Sequence, residues 1–341
     1  MNPDSPDSRK FTVADFASDQ DIRWCPGCGD YSVLSAVKKV LAARSRPPEQ
    51  YAFISGIGCS SRFPYYMNTY GIHSIHGRSL AVATGFKITR PDIETWCITG
   101  DGDGLSIGGN HTVHALRRNV NFKILLFNNR IYGLTKGQYS PTSEFNKKTK
   151  SSPMGTVDDP VDPLCLALGS NASFVARAVD MQPAHLVQVL TRAAEHRGAA
   201  FVEIYQNCNI FNDGAFDYAQ DRKVRAEHVV ELAHGQPLVF GQNLDRGIRR
   251  NGDRLEVVRI GENGVTRDDL LVHDERGPEG VAFAIARLRY PEFPEPIGVL
   301  RAVERPCYDE SVNLQVQEAV ERFGPGDLQS LLAGAETWKV E

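Results

Sequence analysis

The chain has 341 residues, and its 38 Lys and Arg against 42 Asp and Glu give a formal net charge of −4. This balance argues against nucleic-acid binding, and no apolar run is long enough to span a bilayer, so we expect neither a nucleic-acid nor a membrane partner. The length suffices for one large core with a small appendage. Residues 1–10 are polar and contain proline, so we predict a flexible N-terminus without a signal segment, and a cytoplasmic protein.

Seven cysteines are scattered along the chain. An odd number with irregular spacing is not a disulfide framework, so the thiols are available as metal ligands. The first two, Cys25 and Cys28, form a Cys-Pro-Gly-Cys knuckle, which by itself is compatible with a zinc site, a redox dithiol or chance. Two further ligands are needed to complete a site of four thiolates.

Two other cysteines follow predicted strands. Cys59 comes shortly after the apolar run 51–55, and Cys208 comes shortly after the run 201–205. Because parallel strands end at the same edge of a sheet, we expect both thiols at that edge. Four thiolates hold either a tetrahedral zinc ion or a [4Fe–4S] cluster, and the spacing does not choose between them.

An acid and an amide follow two further predicted strands. The run 95–99 ends at Gly-Asp-Gly (residues 100–102), and the run 122–127 ends at Asn-Asn (residues 128–129). Carboxylate and amide oxygens at one sheet edge suit Mg²⁺, and the glycines let the backbone approach a diphosphate. Each signal alone is also compatible with an ordinary turn or helix start. The 25 positions of residues 103–127 separate the two signals, and this spacing resembles the thiamine diphosphate (ThDP) binding motif.

Several polar side chains close to these motifs have two interpretations. His73 and His76 lie three residues apart in a glycine-rich turn, where hydrogen bonding to a cofactor is favoured over zinc binding. Arg62 and Lys136 are either surface cations or groups that face an anionic substrate. The lysine-rich stretch 147–150 is predicted to be a solvated loop, with contact to a phosphate-bearing partner such as coenzyme A as the alternative.

The alternation of helical and strand patterns predicts the fold. Apolar stripes within residues 33–41 and 186–194 indicate helices between the predicted strands. We therefore predict an α/β fold with a doubly wound, mainly parallel sheet over residues 11–230.

Beyond residue 230 the pattern changes. Residues 255–260 and 265–267 flank a Gly-Glu-Asn-Gly turn and predict a hairpin. The proline-rich stretch 290–296 predicts an extended arm. We predict that residues 231–341 form a C-terminal extension that is used for subunit contacts.

Five motifs follow one another in a characteristic order, at residues 24–29, 56–60, 73–78, 100–103 and 132–138. Together they make the chain resemble the β subunit of a 2-oxoacid:ferredoxin oxidoreductase. The resemblance implies a ThDP-binding fold, with ThDP, Mg²⁺ and one [4Fe–4S] cluster as cofactors. A thiamine enzyme that oxidises a 2-oxo acid must pass electrons on, which favours the cluster over zinc.

The resemblance also implies roles for individual residues. The cluster ligands would be Cys25, Cys28, Cys59 and Cys208, and the Mg²⁺ ligands would be Asp101, Asn129 and the Ile131 carbonyl. The ThDP contacts would be Ile57, Gly58, Cys59, Ser60, His76, Gly100, Gly102, Asp103, Gly133 and Leu134. Apart from the resemblance, we expect Lys136, Arg62 and Thr135 to act on the substrate, since Arg62 and Lys136 each lie within three residues of a cofactor loop.

The long C-terminal part is similar to that of two-subunit 2-oxoglutarate:ferredoxin oxidoreductases, with pyruvate or another 2-oxo acid as the alternative substrate. The implied reaction converts 2-oxoglutarate and coenzyme A into succinyl-CoA and CO₂, or the reverse, with ferredoxin as the electron carrier. The implied partner is an α subunit that supplies the activating glutamate, in an (αβ)₂ complex. More remote alternatives are a zinc-stabilised, non-catalytic nucleotide-binding subunit and a non-redox thiamine decarboxylase or synthase.

Overall fold

The computed structural model describes residues 10–338, so the predicted flexible N-terminus lies outside the described residues except for Lys10. The strands in chain order are β1 Tyr51–Ser55, β2 Tyr70–His73, β3 Glu94–Gly100, β4 Lys123–Asn128, β5 Phe174–Val179, β6 Ala200–Tyr205, β7 Val229–Leu232, β8 Val239–Phe240, β9 Arg246–Asn251, β10 Arg254–Arg259 and β11 Glu295–Ala302. An eight-stranded sheet with the order β2-β1-β3-β4-β6-β5-β11-β7 forms the centre, and a small three-stranded sheet has the order β10-β9-β8.

The central strands are buried on both faces. β1, β4, β5 and β6 are buried along their whole length, as expected for near-continuous apolar runs. All pairs in the large sheet are parallel except the pair of β5 and β11. The predicted α/β fold with a mainly parallel sheet is therefore confirmed.

Helices cover both faces of the sheet. The helices are α1 Asp30–Ala43, α2 Ser79–Thr89, α3 Gly109–Arg118, α4 Pro163–Gly169, α5 Pro183–Glu195, α6 Asp217–Gln220, α7 Arg225–His228, α8 Glu279–Ala286, α9 Tyr308–Phe323 and α10 Leu328–Ala333. The apolar stripes of α1 and α5 pack into the core of one face. Apolar side chains of α2, α3, α4 and α8 pack into the core of the other face. This two-sided cover leaves the carboxyl ends of the strands as the open edge where ligands bind in such sheets.

The hairpin prediction is correct for one strand and wrong for its partner. The predicted strand 255–260 corresponds to β10, but β10 pairs antiparallel with the preceding strand β9. A two-residue turn connects them, and its Gly252 has a φ of +60°, which favours a tight hairpin. Residues 265–267 instead lead into a short 3₁₀ turn, Arg267–Asp269, which is capped by the side chains of Thr266 and Asp269.

The predicted extended arm is partly a strand of the large sheet. Residues from Glu295 onward form β11, which lies between β5 and β7. Pro296 pairs in register with Val230 of β7 although proline cannot donate a hydrogen bond to the ladder. The predicted boundary at residue 230 therefore falls within a strand of the main sheet. No helix in residues 10–338 combines the length and the apolar composition needed to cross a membrane.

Candidate cofactor and cluster site

A cavity lies at the carboxyl ends of β1, β3 and β4. Its lining contains all the predicted ThDP contacts together with Asp101, Asn129, Ile131 and Thr135. Residues from four separate loops thus meet around one space, as expected for the switch region of a doubly wound sheet. The direct contacts of these side chains with a cofactor stay a prediction.

Asp101 is buried at the end of β3, where it is 2 % exposed. Its Oδ2 accepts hydrogen bonds from the hydroxyls of Ser140 and Thr142, both at 2.6 Å. Burial raises the pKa of this carboxyl to about 6, although the two hydroxyl hydrogen bonds act in the opposite direction. A bound cation would offset the cost of a buried negative charge, so the environment fits an Mg²⁺ ligand.

The two asparagines after β4 point to different places. Asn128 Nδ2 donates to Glu203 Oε1 at 2.7 Å, away from the cavity. Asn129 lines the cavity, and its Oδ1 accepts the Ile131 backbone N–H at 3.2 Å. The second asparagine is therefore the one placed beside Asp101, as the sequence motif predicts for a cation ligand.

The carboxylate of Asp103 is used by the protein itself. Its Oδ1 accepts the backbone N–H groups of Ile57 at 3.0 Å and Gly77 at 2.7 Å, and its Oδ2 accepts the Thr99 hydroxyl at 2.6 Å. His76 Nδ1 also lies 2.9 Å from Oδ1, without the angle of a hydrogen bond. Asp103 therefore holds the loops around the cavity together, and its predicted contact with ThDP stays a prediction.

Gly102 lies where no side chain fits. A Cβ atom at this position would be 2.2 Å from the ring of Tyr132. The Tyr132 hydroxyl donates to the Gly102 carbonyl at 2.8 Å, so the two residues pack backbone against ring. The close approach explains the second glycine of the Gly-Asp-Gly motif.

The four predicted cluster ligands gather beside the same cavity. A Cβ atom built on Gly133 would lie 3.6 Å from Cys208 Sγ and 3.7 Å from Cys59 Sγ, so both thiols flank this glycine. The Cys28 backbone N–H donates to the Cys25 carbonyl at 3.1 Å, which closes the knuckle. The knuckle is tied to both other segments, because the Trp24 indole N–H donates to the Cys59 carbonyl and Asn209 Nδ2 donates to the Pro26 carbonyl, both at 2.7 Å. The structure therefore brings together thiols that are far apart in sequence.

Two of the four thiols, Cys28 and Cys59, have a raised pKa. Burial, Asp30 and Cys208 raise the pKa of Cys59 to about 12, and burial and Asp30 also raise the pKa of Cys28. Cationic iron would stabilise the thiolate form. Within residues 10–338, no three His, Cys, Asp or Glu side chains converge closely enough to hold a single metal ion. A four-iron cluster does not require that convergence, because each thiolate binds a different iron.

Asp30 and Tyr132 also line the cavity, although neither is among the contacts predicted from the sequence. Asp30 is the first residue of α1, and an acid is common at this position because it interacts favourably with the helix dipole. Burial and the nearby Asp180 raise its pKa to about 7, while a hydrogen bond with Cys28 acts in the opposite direction. The position of Asp30 directly after the Cys-x-x-Cys-Gly knuckle is the one sequence feature that could have indicated a place in the cavity.

The predicted substrate residues lie in different places. Thr135 lines the cavity, and Lys136 follows it in a left-handed conformation with a φ of +77°. Arg62 lines a separate surface depression, and its guanidinium donates to the Arg23 carbonyl at 2.8 Å. Their action on a substrate stays a prediction.

Comparison with known proteins identifies the family. Residues 56–204 match the family model "Thiamine pyrophosphate enzyme, C-terminal TPP binding domain". The chain is 52 % identical over 331 residues to the 2-oxoglutarate oxidoreductase subunit KorB of Mycobacterium tuberculosis, covering 96 % of this chain and 88 % of that relative. It is 42 % identical to the 2-oxoacid:ferredoxin oxidoreductase 1 subunit beta of Aeropyrum pernix, covering 63 % of this chain and 68 % of that relative.

A solved structure agrees with these relatives. The 2-oxoglutarate:ferredoxin oxidoreductase from Magnetococcus marinus, with 2-oxoglutarate, coenzyme A and succinyl-CoA bound, superposes with a TM-score of 0.75. The two chains are 32 % identical, and the match covers 96 % of this chain and 97 % of that chain. The resemblance seen in the sequence is therefore confirmed: the chain belongs to the 2-oxoacid:ferredoxin oxidoreductase β subunits, and is the ThDP-binding part of an oxidoreductase that has a partner α subunit.

Proposed function

We propose that this chain and its α subunit oxidise 2-oxoglutarate with coenzyme A to succinyl-CoA and CO₂, releasing a proton and reducing two ferredoxins by one electron each, or run the reverse. The observation that carries the proposal is the single cavity lined by the predicted ThDP contacts beside four thiols. The KorB relative and the Magnetococcus structure support 2-oxoglutarate as the substrate. Pyruvate or another 2-oxo acid is the second candidate.

In the proposed site, Asp101, Asn129 and the Ile131 carbonyl hold Mg²⁺, which binds the diphosphate of ThDP. Bound ThDP supplies the electron sink that decarboxylation of a 2-oxo acid requires. The glycine-containing loops 56–60 and 100–102 approach the cofactor with their backbone, and the buried Asp103 keeps these loops in place. The α subunit supplies the activating glutamate.

We propose that Cys25, Cys28, Cys59 and Cys208 hold the [4Fe–4S] cluster. Cys59 belongs to the same loop as the ThDP contacts Ile57 and Gly58, which supports a short electron path from cofactor to cluster. A brown protein whose broad visible absorption bleaches with dithionite would support the cluster. A colourless protein that contains zinc would exclude it.

The C-terminal helices support the predicted subunit contacts. α9 and α10 expose a set of large apolar side chains: Leu314, Val316, Val320, Phe323, Leu328, Leu331 and Leu332. A soluble chain rarely exposes so many neighbouring apolar groups unless another protein covers them. We propose that this surface packs against the α subunit within an (αβ)₂ complex, and that the complex is cytoplasmic.

The decisive experiment is an anaerobic assay of the purified αβ complex. We expect reduction of ferredoxin, or of a viologen dye as one-electron acceptor, that requires both 2-oxoglutarate and coenzyme A. A higher kcat/KM for pyruvate would select the second candidate. Turnover of 2-oxo acids that needs neither coenzyme A nor an electron acceptor would show a non-redox thiamine enzyme instead.

A further inference from the structure

Two hydroxyl groups converge on one oxygen of Asp101, the proposed Mg²⁺ ligand. The hydroxyls of Ser140 and Thr142 both donate to Oδ2 of Asp101 at 2.6 Å, across 39 and 41 residues of sequence. All three side chains are buried, with exposed fractions of 2 %, 4 % and 2 % respectively. Two short hydrogen bonds to one carboxylate oxygen fix the plane in which the carboxylate can lie.

The turn that carries the hydroxyls is itself anchored. The Ser143 backbone N–H donates to the Ser140 carbonyl at 3.0 Å, which closes a tight turn with a proline at its second position. The Ser143 hydroxyl then donates to the carbonyl of Arg130 at 2.6 Å. Arg130 directly follows Asn129, so the turn is tied to the segment that carries the second proposed cation ligand.

Thr142 has a further neighbour that restricts its rotation. Its Oγ1 lies 2.9 Å from Asn128 Oδ1, and Asn128 in turn donates to the buried Glu203 at 2.7 Å. The Thr142 hydroxyl has one proton, and Asn128 Oδ1 is a second acceptor beside Asp101 Oδ2. The contact with Asp101 is the shorter of the two, at 2.6 Å, so it is the hydrogen bond that orients the carboxylate.

We infer that Ser140 and Thr142 are positioning residues that leave only Oδ1 of Asp101 for the cation and so favour Mg²⁺ over the larger Ca²⁺. Mg²⁺ demands octahedral geometry with few carboxylate ligands, whereas Ca²⁺ readily accepts both oxygens of one carboxylate. Occupation of Oδ2 by two donors obstructs such two-oxygen binding. The inference rests on the proposed Mg²⁺ site and adds the groups that determine its cation selectivity.

The test compares cation affinities of metal-depleted αβ complexes in the presence of ThDP, using intrinsic fluorescence or calorimetry. Because partners that orient a metal ligand typically contribute about 10- to 100-fold in affinity, we expect Thr142→Val and Ser140→Ala to weaken Mg²⁺ binding by about that factor. Ca²⁺ binding should weaken less, so the ratio of the Mg²⁺ and Ca²⁺ affinities should fall, which a merely structural role would not cause. Thr142→Ser keeps the hydroxyl and should bind both cations like the unchanged protein.

Thr156→Val is the matched control, because Thr156 is a buried threonine of the following loop whose hydroxyl donates to the Glu144 carbonyl at 2.9 Å. It should leave both affinities unchanged. The inference would be overturned if Thr142→Val lost Mg²⁺ and Ca²⁺ affinity equally, or lost neither. The proposed cofactor site would survive that result if Asp101→Ala still abolished Mg²⁺-dependent ThDP binding. Retention of that binding in Asp101→Ala would overturn the proposed cofactor site together with the inference.

Discussion

At the residue scale, the buried carboxyl of Asp101 should make Mg²⁺ binding depend on pH. Burial raises its pKa to about 6, so in the metal-free protein the carboxyl is increasingly protonated below that pH. A proton and Mg²⁺ compete for the same group. We expect the Mg²⁺ affinity of the αβ complex to fall by up to about tenfold per pH unit below about pH 6 and to level off above about pH 7. Mg²⁺ titrations in the presence of ThDP between pH 5 and pH 8 check this, and a flat profile would contradict it.

Four of the seven cysteines are predicted to hold the cluster, and a comparison of two of them tests that assignment. Cys208→Ala removes one thiolate ligand, and we expect the iron content and the visible absorption to fall severely. Cys307 is buried at the start of α9 and serves as the matched control. Cys307→Ala should keep both signals. Equal iron content in the two variants would show that the fourth ligand is misassigned.

The sequence predicts most of the residues that line the cavity, because the motifs lie directly at strand ends and the sheet topology brings strand ends together, but it does not predict Asp30 or Tyr132. Ser140 and Thr142 could not be predicted, since they lie about 40 residues from Asp101 in the sequence and their hydroxyls belong to no motif of distinctive spacing. Asp103 lies in the cavity lining as predicted, but the motif does not predict its hydrogen bonds with Ile57, Gly77 and Thr99. Position along a sheet edge follows from local sequence, whereas the partner of a buried carboxylate depends on loops that meet only in the folded chain.

At the element scale, β11 is held in the sheet by buried charges. Arg177 of β5 bonds Glu203 of β6 at 2.8 Å and Glu295 of β11 at 2.7 Å, and all three side chains are almost fully buried. Arg177→Met would leave two carboxylates without a cation, and we expect a loss of about 3–5 kcal/mol in the free energy of unfolding. Chemical denaturation measures this. Arg90→Met, which breaks an exposed pair with Asp92, is the control and should have little effect.

This ion-pair arrangement also explains why β11 is difficult to predict. Two prolines flank Glu295 in the sequence, and prolines together with a charged residue normally indicate a loop or an edge. The strand is stable because Arg177 neutralises Glu295 and because the Tyr205 hydroxyl donates to the same carboxylate at 2.7 Å. Arg177 and Tyr205 lie about 90 or more residues from Glu295 in the sequence, so a local sequence pattern cannot indicate them.

At the scale of the whole molecule, the chain has an unpaired apolar surface on its last helices. The first two turns of α9 are attached to the body, since Asp309 accepts the Asn121 backbone N–H at 2.9 Å and Asn313 donates to the Ile88 carbonyl at 3.1 Å. Later turns are exposed, with Val316 at 56 % and Phe323 at 76 %. A helix whose first turns are bound to the body and whose later turns expose apolar side chains is expected when a partner subunit covers those later turns.

The double substitution Val316→Lys and Val320→Lys tests this surface. Both side chains are exposed, so we expect the thermal stability of the isolated β subunit to change little, whereas two charges placed in an apolar interface should weaken its association with α at least tenfold. Gln315→Lys with Gln317→Lys adds the same charge at exposed polar positions of α9 and is the matched control. Analytical ultracentrifugation of the α and β subunits measures the association. If the valine variant binds α as tightly as the glutamine variant does, the apolar stripe of α9 lies outside the αβ interface. If the valine substitutions instead change the mass of the isolated β subunit in solution, the stripe forms contacts between copies of this chain.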